Sequence, residues 1–202
     1  MNKPFVVGVT GQTGAGKSLA VRLMAQPDWL ILDADAIARK VVQPGTPCLA
    51  ALVKQFSSAI LREDGSLNRQ VLADIAFATP QDTAALNSIV HPAVIREMND
   101  ALGQTKAPIV LIDAPLLFQA GLERLCDVTL AVTAPEAQRL CRICERDGIS
   151  ETQAKARINA QPEEEYYRKR ATAVLKNDGD EALLSQNIKT LCEEWQREQN
   201  KA

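Results

Sequence analysis

The chain has 202 residues, 46% hydrophobic and 24% charged, with a formal net charge of −2. That balance suits one globular domain with a substantial core, and it excludes the broad basic surface of a nucleic-acid-binding protein. No apolar run reaches the roughly 18 residues that cross a bilayer, and the opening residues lack the pattern of a signal peptide, so the expectation is a cytoplasmic protein without membrane or nucleic-acid partners.

The first element is FVVGVT, a β-branched run that ends in glycine-rich chain and reads as a buried strand. KSLAVRLMAQ follows as a predicted helix, with Leu19, Leu23 and Met24 at helical spacing. WLILDAD is a second short strand, closed by acids. From Ala36 to Gln104 the pattern is helical, broken at QPGTP, REDGSLN and TPQD. This stretch is too long for one crossover and reads as an inserted helical lobe. PIVLIDAPLLF and DVTLAVTA are the third and fourth strands. PEAQRLCRICERDG is a helix with Pro135 at its start and Gly148 past its end. SETQAKARINAQ is a helix capped by Ser150, ATAVLKNDG holds a short last strand, and a polar-faced helix closes the chain. Apolar strands alternating with helices imply an α/β sandwich, a parallel sheet covered on both faces.

Five cysteines, Cys48, Cys126, Cys141, Cys144 and Cys192, show no framework spacing and read as free thiols. Cys141 and Cys144 form a CxxC, but there is no second pair and His91, the single histidine, is far away in sequence. One helical turn apart, they read as packing positions rather than a zinc or redox site.

Gly11, Gly16, Lys17 and Ser18 fit G-x-x-x-x-G-K-[ST], the phosphate-binding loop, between a strand and a helix as the motif requires. Glycines let the backbone curl so that N–H groups face phosphate oxygens, and the next helix adds its positive end. Residues Gly11, Gln12, Thr13, Gly14, Ala15, Gly16, Lys17 and Ser18 are therefore the expected ATP cradle, with Lys17 across the terminal phosphates and the Ser18 hydroxyl on Mg²⁺. A regulatory GTPase would carry Asn-Lys-x-Asp, which is absent. A mechanical ATPase would end an apolar strand in paired acids, whereas VLIDAPLL offers Asp113 alone.

A small-molecule kinase needs an acid near the loop and arginines around the moving phosphoryl group. Asp33 and Asp35 end the second strand, on the ligand-binding edge of a doubly wound sheet; their bland reading is a helix cap with a solvated acid. Arg139, Arg142 and Arg146 share one helix face beside ERDGISE, the expected lid, and Arg157, Arg168 and Arg170 follow. A solvated charged face is the ordinary explanation of such spacing. Two alternatives stay open on these residues: a kinase with another acceptor, and a nucleotide-dependent binding protein that transfers nothing.

VGVTGQTGAGKS, LDADAIARKVVQPG, His91-Pro92, APLLF, RICERDGISETQAKARINAQ and VLKNDG together resemble the dephospho-CoA kinase family over nearly the whole chain. The resemblance implies a P-loop kinase fold with a helical substrate lobe and a lid. The boundaries expected on that basis are a core at about 1–35, 106–146 and 171–202, a lobe at about 36–105 and a lid at about 147–170. It implies Mg²⁺-dependent transfer of the γ-phosphoryl group of ATP to the ribose 3′-hydroxyl of dephospho-CoA, the last step of coenzyme A synthesis. It makes Asp33 the base, Asp33, Asp35, Arg39 and His91 the acceptor contacts, Arg142 and Arg146 the lid arginines on ATP, and Asn177 a neighbour of the adenine pocket. Asp33, Lys17 and Arg142 are the catalytic expectation, with Asp113 behind the metal site, in a monomer or weak homo-oligomer. Gln119 stands where the family often has Glu, and Thr172 where it usually has Asp, which puts local hydrogen bonds in question.

Overall fold

The computed structural model describes residues 3–200. Its elements run β1 (Phe5–Gly11), α1 (Lys17–Met24), β2 (Leu30–Asp33), α2 (Ala34–Lys40), α3 (Pro47–Phe56), α4 (Arg69–Ala76), α5 (Pro80–Gln104), β3 (Ile109–Asp113), β4 (Val128–Thr133), α6 (Glu136–Asp147), α7 (Glu151–Asn159), α8 (Glu164–Arg170), β5 (Ala173–Lys176) and α9 (Glu181–Gln199). Two compact units result. One is the chain up to Leu32 together with everything from Thr105 on; the other is Asp33–Gln104.

The first unit is built on a five-stranded parallel sheet in the order β2-β3-β1-β4-β5. β1 lies between β3 and β4, with Val9 opposite Asp113 on one side and Gly11 opposite Val132 on the other. Its side chains after Phe5 are all buried, which is why the sequence there is a continuous apolar run rather than an alternating one. On one face, Ala20, Val21 and Met24 of α1 join Leu184, Ile188, Cys192 and Trp195 of α9 over Val7, Val9, Leu111 and Leu130. The α9 positions recur at four, four and three residues, one helical stripe. A Cβ at Gly8 would stand 2.6 Å from Cys126 Sγ, so the small residue lets the chain pack close. A smaller cluster of Ile143, Ala154 and Ile158, flanked by Leu140, Cys144 and Ile149, holds α7 against α6.

Two strand ends and one helix differ from the sequence reading. The second strand stops at Asp33, because its carboxylate accepts from Asp35 N at 2.8 Å and Ala36 N at 3.0 Å and so starts α2. The third stops at Asp113; Ala114 N still reaches Val9 O, and Leu117 N then turns back to Ala114 O. α8 was not foreseen. It has acids in its first turn and bases in its last, with Glu164–Arg168 and Glu165–Lys169 pairs one turn apart, all of which favour a short helix.

Both departures from the family pattern find partners. Gln119 hydrogen-bonds the buried Tyr167 side chain, whose hydroxyl burial pushes to higher pKa. Thr172 Oγ1 accepts from Thr129 N at 3.1 Å, while Thr129 Oγ1 accepts from Thr172 N at 3.0 Å, clasping the start of β5 to β4. Thr172→Val keeps the shape and removes that acceptor. It is expected to lower unfolding free energy by about 1–2 kcal/mol, read from urea denaturation, since the Thr129 N–H is left buried and unpaired.

The second unit is helical. Cys48, Leu49, Leu52 and Phe56 form the buried stripe of α3, which packs with α4 and α5 of the same unit; Leu72 and Ala76 are buried on α4, and Val94 and Met98 on α5. Thr46 caps α3 through Leu49 N, and Asn68 caps α4 through Val71 N. A Lys40–Glu97 ion pair ties α2 to α5.

Candidate active site

β1 delivers the chain to the loop and α1 takes it away. Gly14 and Gly16 hold φ of +76° and +93°, the left-handed region that favours glycine. A Cβ at Gly14 would stand 2.7 Å from Arg139 O, and one at Gly16 would run into Asn177 Nδ2. Gly16 also caps α1 without a side chain, so the end of the helix is bare.

Three successive loop carbonyls are tied from behind. Arg139 Nε donates to Thr13 O at 3.0 Å, Arg142 Nη1 to Gly14 O at 3.4 Å, and Asn177 Nδ2 to Ala15 O at 2.8 Å. In a trans peptide the N–H of the following residue points opposite to its carbonyl. The anchors therefore turn the N–H groups of Gly14 and Gly16 away from themselves. Those of Gly14, Gly16, Lys17 and Ser18 take no backbone partner among the described residues, whereas Ala15 N closes a turn to Gln12 O. This is a row of donors beside a bare helix N-terminus, an arrangement for phosphate oxygens.

Lys17 opens α1 and pairs with Asp113 Oδ1; both side chains are about one-sixth exposed. Ser18, beside it, is exposed, and its hydroxyl has no hydrogen bond among the described residues. Asn177 follows β5, is 5% exposed and sends its own N–H to Thr133 O. Arg142 is half-buried and completes its contacts at Gln138 Oε1, 3.2 Å, and Asn177 O, 3.4 Å. A hollow of about 190 Å³ lined by Pro135, Arg168, Lys176 and Asp178 opens at the ends of β4 and β5.

The structure thus brings together the loop, Lys17, Asp113, Arg142 and Asn177. It separates the three arginines that share a helical spacing. Arg146 grips Asp147 through two hydrogen bonds of 2.7 and 2.9 Å, and Arg157 joins the same carboxylate. That pairing holds the Asp147 carboxyl below the usual range and raises the Arg146 guanidinium. Arg139 is 4% exposed, and burial lowers its pKa from the usual guanidinium value. Its Nη2 is buried without a hydrogen bond among the described residues.

Two loop partners escaped the sequence reading. Arg139 is one; helical spacing put it on the right face but could not say how deep it lies. Gln161 is the other. Its Oε1 accepts from Thr13 N at 2.7 Å, and Gln12 Nε2 donates to the adjacent Pro162 O at 3.3 Å. The signal present in the chain was Gln161 at the end of ARINAQ.

Asp33, Asp35, Arg39 and His91 belong to the helical unit. Asp33 is exposed, and both its cap bonds go to Oδ1. Asp35 and Arg39 are exposed one turn apart on α2. His91 is half-buried on α5, where burial pushes its pKa down and keeps it neutral at pH 7. Cys141 and Cys144 are one turn apart on α6; Cys141 donates to Glu145, and Cys144 packs on the α6–α7 cluster.

The family model for dephospho-CoA kinase matches residues 5–182. A dephospho-CoA kinase of Corynebacterium glutamicum is 39% identical over 191 residues, 93% of this chain and 98% of the relative. One from Thermobifida fusca (strain YX) is 41% identical over 192 residues, 95% and 96% of the two chains. Among solved structures, TT1252 from Thermus thermophilus has a TM-score of 0.80 and 35% identity, covering 95% of this chain and 97% of its own. The anchored loop, its lysine and the full-length likeness agree: the chain belongs to the dephospho-CoA kinase family.

Proposed function

We propose that this kinase performs its family's reaction by in-line displacement, with Asp33 as the proton acceptor. The reaction moves the γ-phosphoryl group of ATP to the ribose 3′-hydroxyl of dephospho-CoA, giving coenzyme A and ADP. The hydroxyl oxygen forms a bond to the γ-phosphorus as the bond to the bridging oxygen breaks, ADP leaves, and the hydroxyl proton goes to Asp33. The observation that carries the donor half is the row of N–H groups at Gly14, Gly16, Lys17 and Ser18, which have no backbone partner among the described residues, those of Gly14 and Gly16 being turned away from the side chains that hold the carbonyls of Thr13 and Ala15.

Lys17 leaves Asp113 to bridge the terminal phosphates. Arg142 neutralises charge on the moving group; its two 3.4 Å contacts to carbonyls are weak enough to exchange for phosphate oxygens. Asn177 acts through the loop it braces, near the nucleoside end. Arg146 reaches ATP after giving up Asp147, at the edge of a lid of about residues 147–170 that shields the phosphates from water. The residues present fit Mg²⁺: Ser18 offers a hydroxyl without a partner among the described residues, and Asp113 a carboxylate released when Lys17 turns. Bound there, Mg²⁺ would supply neutralising charge for the terminal phosphates.

On the acceptor side, Asp33 leaves the sheet at the end of β2. What supports the base assignment is the family match, which spans LDADAIAR, together with the place of Asp33 as the last residue of β2. Asp35, Arg39 and the neutral His91 contact the acceptor from the helical lobe. Five free thiols are the state that a reducing cytoplasm maintains, and they support that location.

An ADP-release assay with ATP and Mg²⁺, with and without dephospho-CoA, tests the reading. It requires stimulation by dephospho-CoA and a product one phosphate heavier, with the new phosphate on the 3′-oxygen by ³¹P–¹H correlation. ADP release without such a product overturns it.

A further inference from the structure

Arg139 carries a charge that its neighbours leave unpaired. It is 4% exposed and makes one hydrogen bond, from Nε to Thr13 O at 3.0 Å. No carboxylate pairs with it among the described residues. The two that act on it from further off are Glu136, exposed one turn back on α6, and Glu164 on α8, which already pairs with Arg168. Tyr167, also near it, has its pKa raised by burial and brings no charge at pH 7. A guanidinium stays protonated in proteins, so the charge is not shed. A water molecule can take up the hydrogen bond that Nη2 lacks, but not the charge. Burying an unpaired charge is costly, and burial lowers the guanidinium pKa in the direction that this cost predicts.

The loop that Arg139 holds is short of negative charge as well. Arg142 and Lys17 add two more cations there, and Asp113 is the one carboxylate that pairs with any of the three among the described residues. Three cations against one carboxylate leave the loop with an excess of positive charge, a field for an anion. Arg139 does not face that anion directly. It binds the carbonyl of the Thr13–Gly14 peptide, and the N–H of the same peptide points the opposite way, into the row of donors. A charged hydrogen bond at one end polarises the peptide and makes the N–H at the other end a stronger donor. The seat is close and held on both sides. A Cβ at Gly14 would stand 2.7 Å from Arg139 O, and Gln161 Oε1 takes the Thr13 N–H at 2.7 Å.

On the reading that the loop holds the phosphates of ATP, we propose that Arg139 is a positioning residue for the donor: its buried charge is balanced by those phosphates rather than by the protein, and acts on them through the Thr13–Gly14 peptide. Arg139→Gln separates the charge from the brace. The glutamine Nε2 stands as many bonds from Cα as the arginine Nε, so Thr13 O keeps a donor while the charge goes. Calorimetric titration of the full chain with ATP and Mg²⁺ is expected to show a Kd raised about tenfold, the order of one charge at the effective dielectric of a protein. Urea denaturation without nucleotide is expected to show a midpoint equal to or above that of the wild type, because an unpaired buried charge has been removed. A merely structural role would move stability and affinity down together. ATP bound equally by wild type and Arg139→Gln overturns the proposal and leaves the reading of the loop standing. So does an Arg139→Gln protein that is less stable than wild type, or unfolded, without nucleotide, since the charge is then balanced inside the protein. Wild-type protein that binds no ATP overturns the reading of the loop, and the proposal with it.

Discussion

Asp33→Asn is expected to cut kcat by about 10²–10⁴ while leaving the Kd for ATP within about twofold. The size follows from losing the group that takes the 3′-hydroxyl proton. The selectivity follows from where Asp33 sits, at the end of β2 and not in the loop that holds the phosphates. Asn is also as good a helix cap as Asp, so Asp35 N and Ala36 N keep an oxygen acceptor. Asp33→Ala separates the two roles. It should lose the same activity and, in addition, about 1 kcal/mol of stability with the cap. Steady-state kinetics, nucleotide titration and urea denaturation of the three proteins decide the matter. Turnover in Asp33→Asn equal to wild type would reduce Asp33 to a cap, the bland reading that the sequence left open.

Asp33 also shows what could be read from the chain and what could not. The loop was legible because its chemistry is local: glycines, a lysine and a hydroxyl at fixed spacing between an apolar strand and a helix. The sheet was legible because buried parallel strands are near-continuous apolar runs. The end of β2 was not, because DAD suits a strand end and a helix cap equally, and only the bonds to Asp35 N and Ala36 N decide between them. α8 was hidden in a run of charges whose helix-favouring order, acids first and bases last, also suits a solvated loop. Pro92 lies inside the 25-residue α5, where a proline ordinarily argues for a break. The arginine strip was read as one helix face, either solvated or turned to the phosphates, with roles on ATP expected for Arg142 and Arg146. The fold gives Arg139 to the back of the loop, Arg142 to its side and Arg146 to an acid at the far end of the helix. Depth and partners of that kind come from contacts across more than 100 residues of chain, such as Arg139 with Thr13, which no local spacing carries.

Lys17→Met is expected to lower kcat/KM for ATP by about 10²–10³, the range for removing one preorganised donor from a developing charge. It should also destabilise the protein by about 1–3 kcal/mol, because Asp113, at a site less than one-fifth exposed, loses its partner. The two losses have different causes and can be parted. Lys17→Met with Asp113→Asn removes the uncompensated carboxylate, so urea denaturation of the double variant should recover most of the stability. Turnover should not recover, since nothing replaces the ammonium at the terminal phosphates. A double variant that regained both would make Lys17 a counter-ion for Asp113 and no more. Asp113→Asn alone sharpens the comparison. It frees Lys17 from its resting partner, so tighter ATP binding with weaker turnover would mean that the carboxylate holds the lysine in reserve and then serves the metal side of the site.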